Sequence, residues 1–395
     1  MTAVSLRHAR STAVLLVTLA AFTDILAYSV AVPVLPDLGR RLGASPTVIG
    51  FLFASFGLSV ALVAVPAGAM SDRLGRRGPL LAGALLLVLS TLLFAQARTL
   101  PWLFVARFSQ GIADALTWVV GFALVADLYA ADERGRMMGL VMSGTTVGFL
   151  LGPSLGGWLY ESAGPQVPYL FVAGLSAVCA AGFAWMAPPV TVHDGTSVPL
   201  LDLLRVPDVA ICAMTVTLGG GTLAMVEPTF ALHLDQQAGL GPARIGLVLG
   251  AAALVSAGLH PVVGRIADRL GGRRLMLIGL TGLALFLPAL SLVRDFTGGL
   301  LIYALFTIPI VAMVTPSLAY MADATALAGV RSFGVAYGVY NVAWSAGLLV
   351  GPAIGGAAFE RVGFTVLTVA WAAALLPLTL LLARIRPAAG REPEV

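Results

Sequence analysis

An all-α membrane protein, with twelve transmembrane helices in two pseudo-symmetric six-helix bundles, is the fold class that three observations on this 395-residue chain predict. The first is composition: 59% of the residues are hydrophobic and 11% are charged, against about 45–50% and 25% in soluble globular chains. The second is length. A hydrocarbon core about 30 Å thick takes about 20 apolar residues per helix, so twelve spans use about 240 residues and leave only short loops and tails. A large catalytic domain on either side of the membrane is thereby excluded. The third is internal repetition. GAMSDRLGRR at Gly68 to Arg77 returns as GRIADRLGGRR at Gly264 to Arg274, Ala126-Asp127 returns as Ala322-Asp323, and GFLLGPSLGG at Gly148 to Gly157 returns as GLLVGPAIGG at Gly347 to Gly356.

Apolar runs bounded by Gly, Pro and charge clusters place the spans at roughly 12–36, 46–70, 79–97, 101–127, 136–160, 166–187, 208–233, 243–266, 274–293, 298–322, 333–357 and 362–384. The first follows Arg7 and Arg10 but is too long for a signal-peptide core and carries Asp24 in its middle, so it reads as an uncleaved span. The second leads into the GAMSDRLGRR loop, and the fourth carries Arg107 and Asp114. The fifth holds the glycine-rich repeat, with Pro153 bending it. A polar stretch ends the first half. Residues 1–187 are therefore expected to form one bundle, 188–207 a cytoplasmic linker and 208–395 a second bundle, with the substrate site between the two near the midplane. The seventh span carries Gly219-Gly220-Gly221 and Glu227. The eighth and tenth repeat the second and fourth, and the eleventh repeats the fifth.

All 23 basic residues are arginine, and the net charge is +4. With the N-terminus inside, sixteen arginines fall on inner segments and six on outer ones, leaving Arg107 within a span. Positive-inside bias then predicts a multi-pass protein with both termini cytoplasmic, and it accounts for the charge without nucleic acid. Cys179 and Cys212 form no CxxC pair and the four histidines have no ligand spacing, so no metal is expected. No phosphate-cradling loop, nucleophile–base set or cofactor motif is found, so neither an enzyme nor an ATP-driven pump is expected.

The motifs carry a resemblance. GAMSDRLGRR resembles motif A of the major facilitator superfamily, ARFSQGIADA at Ala106 to Ala115 resembles its motif B, and GFLLGPSLGG resembles motif C of its drug/proton antiporters. DILAYSVAVPVLP at Asp24 to Pro36, Phe53-Ala54-Ser55, AMVEP at Ala224 to Pro228 and AYMAD at Ala319 to Asp323 are similar to the vesicular monoamine transporter branch. The resemblance implies that Asp72, Arg76 and Asp127, beside Gly68, form a charge cluster latching the outward-facing state. Gly148, Gly152 and Gly156 give a flat helix face for tight packing of the halves. The second copy has Gly272 four residues after Asp268, so a weaker latch is expected there.

Acids within spans carry the functional reading, because a carboxylate at a helix centre costs about 2.5–3.5 kcal/mol on insertion scales and needs a proton, a cation or water. Asp24, Asp114 and Glu227 are such residues. Arg107 lies two turns before Asp114 on the same face, as its internal partner or, from motif B, as a cavity cation that modulates proton uptake. The glycine run is expected to loosen the helix beside Glu227. Tyr337, Asn341 and Trp344 form one stripe, and Phe53 and Phe56 follow the same logic. Rings around a carboxylate suit cation–π capture of a protonated amine. By resemblance Asp323 is the first choice for proton coupling, with Asp24, Asp114 and Arg107 contributing, and with a competing reading as a latch residue.

The chain departs from the vesicular pattern at Phe56 and Asn341, where that branch carries a lysine and an aspartate, and it has no N-x-S/T sequon. A bacterial inner membrane is expected rather than a neuronal vesicle. The function expected is proton-coupled antiport exporting organic cations, monoamines or drugs by alternating access, with protons and the lipid bilayer as partners and a monomer as the working unit. Export of a neutral metabolite or sugar by the same coupling is the alternative.

Overall fold

The computed structural model describes residues 3–129, 131–186, 203–327, 329 and 333–385. The expected linker at 188–207 lies mostly outside the described residues. Helices follow in order: α1 (Ala3–Arg41), α2 (Pro46–Leu74), α3 (Arg77–Ala95), α4 (Leu100–Leu128), α5 (Ala131–Ala163), α6 (Val167–Trp185), α7 (Pro207–Ala238), α8 (Pro242–Leu270), α9 (Gly272–Phe286) and α10 (Phe296–Leu327). A helical trace from Phe333 to Arg384 breaks at Gly363, whose φ of 78° stops the helix, giving α11 over 333–362 and α12 over 364–384. The eleventh and twelfth expected spans are thus joined by a one-residue corner. Counting that trace once, eleven helices among the described residues are long and apolar enough to cross a membrane.

The helices overrun the expected spans because an α-helix continues past the hydrocarbon edge wherever nothing stops it; α1 has 39 residues, about 58 Å at 1.5 Å per residue. Their starts follow local chemistry. Pro46, Pro101, Pro168, Pro207 and Pro242 lie in the first turns of α2, α4, α6, α7 and α8, where a missing N–H costs nothing. Leu287–Leu292 is a 3-10 segment after α9, with Pro288 as its second residue.

The end bearing the start of α1 and the close of α12 is called proximal here, and the opposite end distal. Within the first half, α1 packs on α5 and α3 on α4 and α6. Within the second, α7 packs on α11 and α10 on α8 and α9. The halves meet chiefly through α2 with α11 and α5 with α8. These contacts are backbone to backbone at the distal side: a Cβ at Gly57 would lie 2.5 Å from the Leu348 carbonyl carbon, one at Gly50 2.3 Å from the Pro352 oxygen, and one at Gly246 2.1 Å from the Pro153 oxygen. Toward the proximal side, a Cβ at Gly258 or Gly264 would meet nothing within 4 Å.

The glycine face of α5 has a different partner from the one expected. Gly148, Gly152 and Gly156 receive α1, with a Cβ at Gly152 falling 1.9 Å from Ser29 Oγ, so this face consolidates the first half. The contact with α8 runs through Pro153, Ser154 and Gly157 on another side of the same helix.

Among the described residues, carboxylates link the halves at three places on the distal seam, beside a bond from the Ser154 hydroxyl to the Gly246 carbonyl at 3.2 Å. Arg40 donates to Asp235 at 2.5 Å and to Asp37 at 2.8 Å. Glu360, at the distal end of α11, accepts from the Ser45 hydroxyl at 2.7 Å and the Thr47 N–H at 2.9 Å, at the N-terminus of α2. Glu161, at the distal end of α5, accepts from the Ala243 N–H at 3.0 Å, at the N-terminus of α8. The last two are the same interaction in the two repeats, each a carboxylate set against the positive end of the opposite half's helix. A double variant, Glu161→Gln with Glu360→Gln, should loosen the distal seam. Spin labels at Ala44 and Gln237 should then show a longer-distance population by double electron–electron resonance, and an unchanged distribution would deny the links that role.

Candidate functional site

At the proximal end Arg76 gathers three partners. Its Nη1 donates to Asp72 at 2.5 Å and to the Ser71 hydroxyl at 2.6 Å, and its Nε donates to Asp127 at 2.8 Å. Burial works against this charge, and the two carboxylates more than offset it, so the Arg76 pKa lies above the ordinary arginine value. The cluster ties α2 to α4 inside the first half. Gly68 sits on the same helix with a Cβ position 3.5 Å from Val119. The next residue, Arg77, donates to the Phe183 and Ala184 carbonyls that end α6, and its repeat-mate Arg273 donates to Leu382 and Ile385 at the end of α12.

Deep in the molecule Arg107 on α4 is fully buried. Its guanidinium lies over the rings of Tyr28, Phe53 and Phe56 at 4.6, 4.7 and 4.8 Å, and its Nη1 donates to Gln110 at 2.7 Å. Its Nε and Nη2 have no partner. Such a cage is a cation–π site occupied by the protein's own cation. Tyr28 also donates from its hydroxyl to Glu227 at 2.6 Å, a charge-assisted bond joining α1 to α7 and hence one half to the other.

One turn proximal of Tyr28 lies Asp24, 1% exposed. Its Oδ2 accepts from Trp118 Nε1 at 3.1 Å, and its Oδ1 has no partner. Asp114, one turn before Trp118 on α4, lies alongside it and is the more accessible of the two. Trp118 stacks on Phe122 at 5.5 Å between centroids, and Phe122 meets Tyr337 of α11 at 4.8 Å. Asn341, one turn along α11 from Tyr337, has an unpartnered Nδ2. Carboxyl groups, an aromatic wall and an unused donor therefore converge from α1, α4 and α11.

Several expectations need correction. Arg107 does not pair with Asp114, because seven residues is about 10 Å along a helix and the guanidinium turns toward the rings instead. Phe53 and Phe56 accordingly surround a cation rather than a carboxylate. Trp344 leaves the stripe: it stacks on Tyr340 at 6.3 Å and rests on Gly220 of α7. The glycine run does not loosen α7, which is helical throughout. It is a groove, where Gly219 faces Met313, Gly220 faces Trp344 and Gly221 lies against Gly347 and Gly351. Asp323 is exposed at the proximal end of α10 rather than desolvated; the repeat-mate of Arg76 is Gly272, and among the described residues no guanidinium draws it in as Arg76 draws in Asp127. Tyr28, Gln110 and Trp118 were not anticipated. Tyr28 and Trp118 follow Asp24 and Asp114 by four residues and Gln110 follows Arg107 by three, spacings that share a helix face and could have flagged them.

The comparisons with known proteins agree with this architecture. The family model described as Major Facilitator Superfamily matches residues 17–344 and 209–395. The chain is 30% identical over 322 residues to the rat chromaffin granule amine transporter, covering 80% of this chain and 61% of that protein, so it spans about three fifths of that relative's length. It is 31% identical over 370 residues to a probable vesicular acetylcholine transporter-B of zebrafish, covering 88% of this chain and 74% of that protein. Among solved structures, a bacterial homolog of the human lysosomal transporter Spinster, inward-facing and occupied, superposes with a TM-score of 0.78 at 17% identity over 95% of this chain and 97% of that one. The nucleoside transporter NupG superposes with a TM-score of 0.75 at 13% identity over 94% and 98%. A helical membrane bundle with repeated halves, buried acids between them and this family match has one reading: the chain is a membrane transporter belonging to the Major Facilitator Superfamily.

Proposed function

We propose that this transporter exchanges protons for small organic cations, monoamines or drugs, exporting them by alternating access. The single observation that carries the reading is the buried Asp24 carboxylate with one oxygen unpartnered beside an aromatic wall. An unpaired carboxylate in this setting calls for a cation or a proton, and the two then compete for one place. The printed names of the relatives, amine and acetylcholine transporters, support a cationic substrate. The arginine distribution supports a multi-pass protein with a cytoplasmic proximal end and both termini inside, and the lack of an N-x-S/T sequon supports residence in the cell's inner membrane.

In this reading Asp24 is shared between substrate and proton, while Trp118, Tyr337 and Asn341 shape the wall. Glu227 serves as the second acid, held by Tyr28 while the distal seam is closed. Arg107 holds a fixed positive charge near both and keeps the net charge of the interior low. Asp323, being exposed, takes no part in coupling.

Uptake of labelled amines into proteoliposomes, with and without an imposed pH gradient, tests the reading directly. Asp24→Asn should weaken binding of a fluorescent amine to the purified protein by about tenfold or more, about 1.4 kcal/mol. Unchanged affinity would move the weight to a neutral metabolite or sugar as substrate. Asp323→Asn should leave gradient-driven uptake within about threefold of the wild type, as substitutions at exposed positions generally do. Loss of the gradient response in that variant would restore Asp323 as the coupling residue.

A further inference from the structure

We propose that Asp24 and Asp114 form a paired-carboxyl site that holds one proton between them when substrate is absent and exchanges it for a cation bearing at least two N–H groups, such as a primary ammonium, in preference to a quaternary ammonium of the same size. The inference rests on the cation reading above and names the substrate class within it.

The argument begins with charge. Among the described residues, Asp24, Asp114, Glu227 and Arg107 are charged groups set within the spans, away from the helix ends. Arg107 is spent on three rings and Gln110, and among the described residues no ion pair reaches Asp24 or Asp114. Two adjacent carboxylates with no cation in contact do not both ionise, so the pair keeps a proton.

The other groups facing the pair leave that conclusion intact. Arg107 and Tyr28 lie on its distal side, with Glu227 beyond Tyr28 and bonded to it. Tyr337 faces Asp114 from α11, and Cys179 on α6 is engaged with Thr23 at 3.7 Å. From α5, Gly148 is what packs against Phe22 and Ile25 around Asp24, and from α3, Gly83 packs against Leu116 and Thr117.

Hydrogen-bond geometry supplies the selectivity. Trp118 satisfies Oδ2 of Asp24, while Oδ1, in a residue 1% exposed, has no donor among the described residues and is open to a ligand's N–H or to the shared proton. A primary ammonium presents three N–H donors, enough to serve this oxygen and Asp114 together as the proton leaves to solvent. A quaternary ammonium presents none, so it leaves the buried acceptor unpaired, which is where a site built for hydrogen bonding discriminates most strongly.

A matched pair of probes tests this: 2-phenylethylamine and trimethyl(2-phenylethyl)ammonium have the same ring, linker and charge. Titration calorimetry of the purified protein in two buffers of different ionisation enthalpy reads both affinity and protons exchanged. The wild type should bind the primary amine at least about tenfold more tightly and release a proton on doing so. In Asp114→Asn the affinity ratio should collapse and proton release should fall. Equal affinity of the two probes for the wild type overturns the paired site without any variant while leaving the organic-cation reading standing. Failure of both probes to bind the wild type overturns the cation reading and this inference with it. A preserved ratio and preserved proton release in Asp114→Asn overturn the role of Asp114.

Discussion

The arrangement of this transporter depends on backbone meeting backbone across the seam between its halves. α2 approaches α11 and α5 approaches α8 closely enough that Gly50, Gly57 and Gly246 admit no side chain. In a membrane, helices gain little from sequestering apolar surface against each other, so small residues and tight van der Waals contact do the joining. That approach brings α1 against α7 in the interior, which lets the Tyr28 hydroxyl reach Glu227. Moving either helix pair apart at its distal end would lengthen this bond before disturbing anything within a half.

Charge in the interior is arranged by the same economy of space. A guanidinium with no carboxylate in contact is costly in a buried position, and here three aromatic faces and one amide oxygen stand in for the missing anion. The acids are consequently left with fewer partners than they could accept. Among the described residues, Asp24 accepts from Trp118 and Glu227 from the Tyr28 hydroxyl. The protein's own cation is satisfied by rings, and Oδ1 of Asp24 is left without a donor among the described residues.

The helices were legible because membrane physics allows few alternatives: long apolar runs, proline at entries and glycine at corners placed each span to within a few residues of its core. The burial of Asp24 and Glu227 was legible from their places inside apolar runs, where an acid is costly. The partners of each charge were not legible. Whether Phe53 faces a carboxylate or a guanidinium depends on how α2 and α4 are rotated against each other, which residue spacing within one helix does not encode. Asp323 shows the limit of the repeat as a guide. Its position is homologous to Asp127, yet Gly272 in place of an arginine leaves it at the surface while its counterpart is held by Arg76. Gly219-Gly220-Gly221 misled in the opposite sense, since flexibility was inferred where the partner helix required room.

Glu161 and Glu360 stand on opposite flanks of the distal seam, each anchored to the first turn of a helix from the other half. Two such anchor points define a line. Swinging one half about that line changes neither bond length, so the proximal ends can part and close while the distal seam stays shut, as a door turns on two pins. Opening the distal side instead requires both pins to be drawn together with the Arg40–Asp235 ion pair, which spans the same seam. The motion is thereby mechanically asymmetric: breathing at one mouth is soft, and commitment at the other is cooperative.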